Sequence, residues 1–241
     1  MEELLELLKS SRRAVVLTGA GVSTASGIPD FRGPKGIYRK FPPDIFDIEK
    51  FYTNPERFYS FAKDGLFSML DAKPNESHIM IAKLEEKGFI EAVITQNIDG
   101  LHQKAGSRIV LELHGNMSRF FCVSCKQIYS ASEVREKVEK ELVPKCTKCG
   151  SLIRPDVVFF GEPLPQEALQ KAIEYSERAD LMIVMGSSLV VYPAAYLPMI
   201  TVENGGKLVI VNKGETGLDN IAFKKYDMDL VEFSRKILEV I

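Results

Sequence analysis

Apolar residues fall along this chain in two rhythms. Short continuous runs make up the first: "AVVLTG" from Ala14, "EAVIT" ending at Thr95, then "RIVLEL", "LMIVMG" and "KLVIVN". A run that is apolar at every position, rather than at alternate ones, marks a strand covered on both faces. Between these runs apolar residues recur at helical spacing. "NESHIMIAKLEEKG" opens on Asn75, a cap candidate, and stops at Gly88. "PQEALQKAIEYSERA" opens on Pro165, "DLVEFSRKILEVI" reads as a C-terminal helix, and the N-terminal "MEELLELLKSSRR" is also helical in pattern. The alternation predicts an α/β fold, a doubly wound parallel (Rossmann-like) sheet with helices on both faces.

Two segments break the rhythm. "PDFRGPKGIYRKFPPDIFDIEKFYTNPERFYSFAKDG", from Pro29, is rich in proline and aromatics and contains no strand run. It predicts a loop followed by a helical cluster. Ser118 to about Pro155 carries all four cysteines. Both predict a smaller lobe beside the sheet. The 241 residues suit one domain with such an insert. The expected division is a large lobe of about 1–30, 76–117 and 156–241, and a small lobe of about 31–75 (helical) and 118–155 (cysteine-bearing).

Composition narrows the partners. With 27% charged residues and a net charge of −2, there is no global field to attract nucleic acid or an anionic membrane. No run approaches the roughly 18 apolar residues of a membrane span. The acidic N-terminus lacks the basic start and small-residue cleavage site of a secretory signal, so a cytoplasmic location is expected. A monomer is compatible with the same balance. The cysteines form two CxxC pairs, Cys122/Cys125 and Cys146/Cys149. In a reducing compartment this spacing favours a tetrahedral four-thiolate zinc site over disulfides. With all four positions filled by protein, the metal would be structural. A redox pair is the alternative. Nucleic-acid binding by this ribbon carries little weight, because Glu133, Glu136, Glu139 and Glu141 offset Lys126, Lys145 and Lys148.

Candidate chemistry gathers at strand ends. "LTGAGVSTASGIPDFRG" follows the first strand, where Gly19, Ala20 and Gly21 allow a tight turn and close approach to a ligand. The next helix is expected to point its N-terminus at a phosphate there. A hydride-transfer fingerprint would place a third glycine at Thr24 and an acidic residue at the end of a second strand. Here that region holds Asp44 and Asp47 in a strandless segment, so a dinucleotide would bind differently. "TQNIDGLHQ" crowds Gln96, Asn97, Asp99 and His102 at the end of "EAVIT". A polar turn with a cap accounts for one or two of them. Gly186, Ser187 and Ser188 follow "LMIV", and Asn212 ends "KLVIVN". Ligands of open parallel sheets bind beyond the carboxyl ends of the strands, and four such sets on one edge make a binding site. His114, before Gly115 at the end of "RIVLEL", shares that edge and is the candidate general base. His78, on an apolar helix, reads as a packed or surface residue, and His102 as a structural partner in its turn.

"GAGVSTASGIPDFRG", "TQNIDGLH", "HG", the paired CxxC knuckles, "PDVVFFGE", "GSSL" and "VN" occur in that order across residues 19–212. In this the chain resembles the sirtuins, NAD-dependent protein-lysine deacylases, and most closely the compact bacterial and archaeal members. The resemblance implies a catalytic domain that turns NAD and an acetyl-lysine protein or peptide into free lysine, nicotinamide and O-acetyl-ADP-ribose. It implies that Asp99 holds the nicotinamide carboxamide with Ile98 beside it, that Asn97 orders the ribose and a water, and that Gln96 contacts the ribose. Ala20, Thr24 and Arg32 would serve the pyrophosphate and its surroundings, with Gly19, Gly21 and Asp30 in the same motif. Phe31 would shield the reacting sugar carbon. Gly186, Ser187, Ser188, Asn212 and Lys213 would hold the adenosine half, Lys213 through its main chain. His114 and Asn97 are the implied catalytic residues, and Cys122, Cys125, Cys146 and Cys149 the implied zinc ligands.

"PDVVFFGE" would take the substrate as an added, extended strand. Val158 would accept the acyl-lysine amide N–H through its backbone, Phe160 and Phe31 would line the tunnel for the lysine stem, and Gly161 and His114 complete the substrate set. Relatives that prefer succinyl or malonyl groups carry Tyr-x-x-Arg in the acyl-pocket helix. Here Tyr59 is followed by Ala62, which implies an apolar tunnel end and preference for acetyl. Mono-ADP-ribosyl transfer from the same pocket is the alternative activity. A non-enzymatic NAD sensor is disfavoured because it needs no general base.

Overall fold

The computed structural model describes residues 2–33 and 36–241. Among these residues nine strands, β1 (Ala14–Thr18), β2 (Ala92–Thr95), β3 (Val110–Glu112), β4 (Gly115–Cys122), β5 (Ile128–Ser130), β6 (Ile153–Val157), β7 (Leu181–Met185), β8 (Lys207–Val211) and β9 (Lys224–Tyr226), form two sheets. The larger sheet has the order β3-β2-β1-β7-β8-β9 and is parallel throughout. The chain leaves β1 to one side for β2 and β3, then returns to the other side for β7. That reversal opens a crevice at the carboxyl ends of β1 and β7. Register makes the edge even: Thr18 lies opposite Thr95 and Met185, and Met185 opposite Val211.

The helices are α1 (Glu2–Ser10), α2 (Ile48–Thr53), α3 (Pro55–Asp64), α4 (Glu76–Glu86), α5 (Leu101–Ala105), α6 (Ala131–Lys140), α7 (Gln166–Arg178), α8 (Tyr196–Glu203) and α9 (Leu230–Leu238). Because side chains alternate across a strand, β1 packs on both faces of the core around the large sheet. Ala14 and Val16 pack with Leu4, Met80, Ile81 and Phe233 of α1, α4 and α9. Val15 and Leu17 pack with Ala172 and Leu197 of α7 and α8. Continuous apolar runs are thus explained by helices on both faces. Expected boundaries hold closely. Asn75 caps α4 by accepting from the Ser77 amide at 2.9 Å, and Asp229 caps α9.

A second core lies beside the carboxyl edge. It joins α2 and α3 to the antiparallel sheet β5-β4-β6 and to α6, through Phe51, Phe58, Tyr59, Phe120, Val134, Val138 and Phe159. Each such large side chain contributes on the order of 1.5–3 kcal/mol by leaving water.

Three features depart from the sequence expectations. The glycine-rich turn opens into a 3₁₀ helix, Ala20–Ser26, not an α-helix. The edge strand β9 reads "KKY" and α8 contains Pro198, so neither carries a usual strand or helix signal.

Candidate active site

A cavity of about 720 Å³ lies where the carboxyl edge of the large sheet meets the second core. Its floor comes from the strand ends. Gly19, Ala20 and Gly21 follow β1, Gln96 to Asp99 follow β2, Gly186, Ser187 and Ser188 follow β7, and Asn212 and Lys213 follow β8. The wall opposite is Asp30, Phe31 and Arg32 with Val158, Phe160 and Gly161.

Gly19 and Gly21 are small for a packing reason. A Cβ on Gly19 would stand 2.7 Å from the Gly186 carbonyl oxygen, and one on Gly21 2.7 Å from Gly186 Cα. The loops after β1 and β7 therefore touch backbone to backbone, and the Gly21 amide donates to the Gly186 carbonyl at 2.9 Å. A larger residue at either place would push the two sides of the crevice apart. Gly115, at φ +79°, lets β4 leave directly after His114 where a Cβ would meet the Asp156 carbonyl.

The 96–99 run is tied down from several sides. Asn97 Nδ2 donates to the Gly19 carbonyl and to Ser23 Oγ, both at 3.2 Å. Asp99 is buried and accepts from Ser23 Oγ at 2.7 Å and from the Leu101 amide at 2.8 Å. Gln96 Nε2 donates to Ser187 Oγ at 2.9 Å, which links the ends of β2 and β7. The crowding of polar groups at this strand end is therefore a network with fixed side-chain directions, not a solvated turn.

His114 occupies the short turn between β3 and β4. Its Nδ1 is 2.9 Å from the Gln96 carbonyl oxygen. A carbonyl can only accept, so Nδ1 carries the proton and Nε2 of the neutral ring keeps its lone pair. Burial pushes the His114 pKa below the ordinary histidine value, and the Gln96 carbonyl offsets this in part. The ring is thus held neutral, in the tautomer a base needs.

Asp30 closes its own loop, accepting from the Gly33 amide at 3.0 Å. Phe31 packs edge-on to Phe46 at 5.8 Å and tilted on Tyr38 at 5.4 Å. The Phe160 backbone is fastened on both sides, donating to the Phe46 carbonyl at 2.7 Å and accepting from Ile48 at 3.1 Å. Arg154 grips the same segment from below, with guanidinium bonds of 2.7 and 2.6 Å to the two Glu162 oxygens, while Glu162 accepts from the Phe159 amide at 2.9 Å.

The sulfur atoms of Cys122, Cys125, Cys146 and Cys149 all lie within 4.8 Å of one another. Cys122 and Cys149 sulfurs are 3.4 Å apart and those of Cys125 and Cys146 3.6 Å, far beyond a disulfide bond. Four thiols converging on one point are the donor set of a closed tetrahedral zinc site, whose bonds of about 2.3 Å leave sulfurs nearly 4 Å apart.

Residues 19–193 match the family model described as "Sir2 family". An NAD-dependent protein deacetylase of Thermotoga maritima is 63% identical over 239 residues, covering 99% of this chain and 97% of the relative. One from Sulfurisphaera tokodaii is 51% identical, covering 90% and 86%. The chain belongs to the Sir2 family, the sirtuins. Among solved sirtuin structures, one holding a deacetylated p53 peptide and 3'-O-acetyl ADP ribose superposes with a TM-score of 0.98 at 63% identity, covering 99% of this chain and 97% of that one. Another, with a p53 peptide and NAD+, gives 0.95 at 62% identity with the same coverage.

Within this sirtuin, the residues expected from sequence to contact NAD or the substrate peptide line this cavity, Thr24 excepted. Thr24 is exposed, turns its hydroxyl back on the Gly21 carbonyl at 3.0 Å and does not line the cavity. Two acyl-pocket candidates also lie off the cavity lining. Tyr59 and Ala62 are fully buried in the second core, with the Tyr59 hydroxyl on the Ile153 carbonyl, and neither lines the cavity. Leu66 and Met69, on the 3₁₀ segment after α3, do. Ser23, at the centre of the network, was also missed. Its position in the glycine motif was visible, but a serine among glycines carries no signal of what it bonds.

Proposed function

We propose that the chain removes acetyl groups from protein lysines with NAD as co-substrate. The observation that carries this is one cavity in which the 96–99 network, the Phe31 wall and the lone pair of His114 Nε2 converge. Solved relatives of this fold hold acetylated or deacetylated peptides, NAD+ and O-acetyl-ADP-ribose. A cavity of this size and polarity suits a dinucleotide plus a lysine side chain. The two cores that meet at the cavity support a large NAD-binding lobe and a smaller lobe presenting the peptide.

When bound, NAD supplies the ribose carbon that accepts the acyl oxygen as nicotinamide departs. Asp99, already fixed by Ser23 and Leu101, holds the carboxamide, with Ile98 against it. Asn97 and Gln96 orient the ribose, and these fixed dipoles favour the positive charge that develops on the sugar. Ala20, Gly21, Arg32 and Asp30 face the pyrophosphate, Ser187, Ser188 and Asn212 the adenosine half. Lys213 acts there through its main chain, since its ammonium turns to Asp229 at 3.3 Å. Phe31 covers the sugar carbon and excludes water. His114 Nε2 takes the proton of the ribose hydroxyl that goes on to attack the former amide carbon.

The peptide lies along Val158 to Gly161 as an added strand, with the Val158 carbonyl accepting the acyl-lysine amide. Zinc would be held by the four cysteines and support the fold of the small lobe, because a closed site has no position for substrate. No described helix is long and apolar enough to cross a membrane. A cytoplasmic monomer is our reading; thiols arranged for a metal support the reducing compartment.

The relatives are named deacetylases and deacylases, which disfavours the mono-ADP-ribosyl transfer held as an alternative. Nicotinamide release measured with and without acetyl-lysine peptide tests the proposal. One nicotinamide per lysine freed is expected. Release that ignores the peptide and leaves ADP-ribose on protein would overturn it.

A further inference from the structure

Beneath the cavity floor lies a buried histidine that no step above uses. His78, on α4, is wholly buried. Its Nδ1 stands 3.3 Å from the Asn75 amide nitrogen and its Nε2 3.4 Å from Ser23 Oγ. An amide N–H can only donate, so Nδ1 holds the lone pair and the ring proton sits on Nε2, facing Ser23. Burial pulls the His78 pKa down to about 4, which keeps the ring neutral near pH 7. Ser23 donates its own proton to Asp99 Oδ2 at 2.7 Å and accepts from Asn97 Nδ2 at 3.2 Å. A hydroxyl has one proton and two lone pairs. With His78 as the second donor, all three are committed, and the hydroxyl cannot turn away from Asp99.

His102 lies next door. Its ring packs edge-on to His78 at 5.0 Å, and its Nε2 is 2.9 Å from Thr18 Oγ1. Thr18 passes its proton to Thr95 Oγ1, which also accepts the Asn97 amide at 3.0 Å. Side chain and main chain of Asn97 are thus each referred back to a buried imidazole.

We propose that His78 is a positioning residue for the nicotinamide pocket: its Nε2–H saturates Ser23, which aims the Asp99 carboxylate and the Asn97 amide into the cavity. The proposal rests on the assignment of Asp99 and Asn97 to the nicotinamide and its ribose. The cap of α4 belongs to the device. If Asn75 did not donate to Nδ1, the ring could place its proton there, and Nε2 would then compete with Asp99 for the Ser23 proton.

Two measurements test this. Long-range ¹H–¹⁵N correlation on ¹⁵N-histidine-labelled wild-type protein reads the tautomer directly. An Nε2–H signature for His78 is expected, and Nδ1–H overturns the proposal even if no variant folds. The second compares His78→Gln with His78→Asn in folded, zinc-loaded protein. A glutamine amide reaches the Nε2 position and can donate to Ser23, whereas asparagine reaches only the Nδ1 position and keeps the cap. His78→Asn should lower kcat/KM for NAD about tenfold, the worth of one hydrogen bond. Its affinity for acetyl-lysine peptide should not change, and His78→Gln should recover most of the loss. Equal impairment of both, or of neither, overturns the proposal. Wild-type turnover separates the two readings: if the wild type fails to consume NAD with the acetyl peptide, it is the deacetylase assignment that falls.

Discussion

At the scale of single residues the account turns on His114. Its lone pair faces the cavity because the Gln96 carbonyl claims the other nitrogen. His114→Ala should keep the fold and NAD binding while turnover falls by about 10² to 10⁴, the usual worth of a general base. Nearly normal turnover by the folded variant would remove the assignment. The pH profile carries a sign. Only neutral His114 accepts a proton, and burial lowers its pKa. The neutral form therefore persists to lower pH than for a free histidine. The acid limb of kcat/KM should have its midpoint below 6.5, and a midpoint above 7 would contradict the buried setting. His114 was legible because few residue types titrate near neutrality and it stands at a strand end. The roles of Gly19 and Gly21 were half legible. Glycine signals close approach, but not that the partner is the Gly186 backbone in addition to any ligand.

At the scale of elements, the strands could be read because continuous apolar runs admit few alternatives, whereas β9 has no such run. Tyr59 and Ala62 do not line the cavity, whereas Leu66 and Met69 of the 3₁₀ segment that follows do. Apolar residues in the 55–71 segment face either the second core or the cavity, and spacing alone cannot say which. Leu66 and Met69 keep the expected chemistry, since no arginine from this segment lines the cavity among the described residues. A buried succinyl carboxylate would lack a charged partner from this segment. On one peptide, acetyl-lysine should give a higher kcat/KM than succinyl-lysine; the reverse order would show that the pocket end is misread. The cysteine knuckles tie β4 to the loop before β6. Cys146→Ser should release zinc and loosen β5 and α6, with activity falling indirectly through the Val158 to Gly161 wall. Metal analysis and a thermal melt would check it, and intact protein that carries no zinc would end the structural-metal claim.

At the scale of the whole molecule, the cavity exists only where two cores meet, and this is why the site residues are scattered from position 19 to 213. The meeting place also holds two histidines kept neutral by burial, with pKa values pulled down to about 4 for His78 and about 3 for His102. Both lie below the ordinary value of 6.5, so the unfolded chain takes up these protons first. Their contribution to stability is complete above pH 6.5 and is lost as pH falls towards 4 and then 3, at about 1.4 kcal/mol per histidine per pH unit. Urea midpoints should drop between pH 7.5 and 5, with zinc content followed in parallel; a flat midpoint would mean the rings are not buried neutral. The central claim, that one cavity joins NAD to an acetylated lysine, is tested most directly by following the acetyl group itself. A peptide carrying ¹³C-acetyl-lysine is incubated with NAD and the protein, and the products are weighed by mass spectrometry. The account predicts the labelled acetyl group on ADP-ribose, in equal amount to the freed lysine peptide. Labelled free acetate with NAD unconsumed would contradict it.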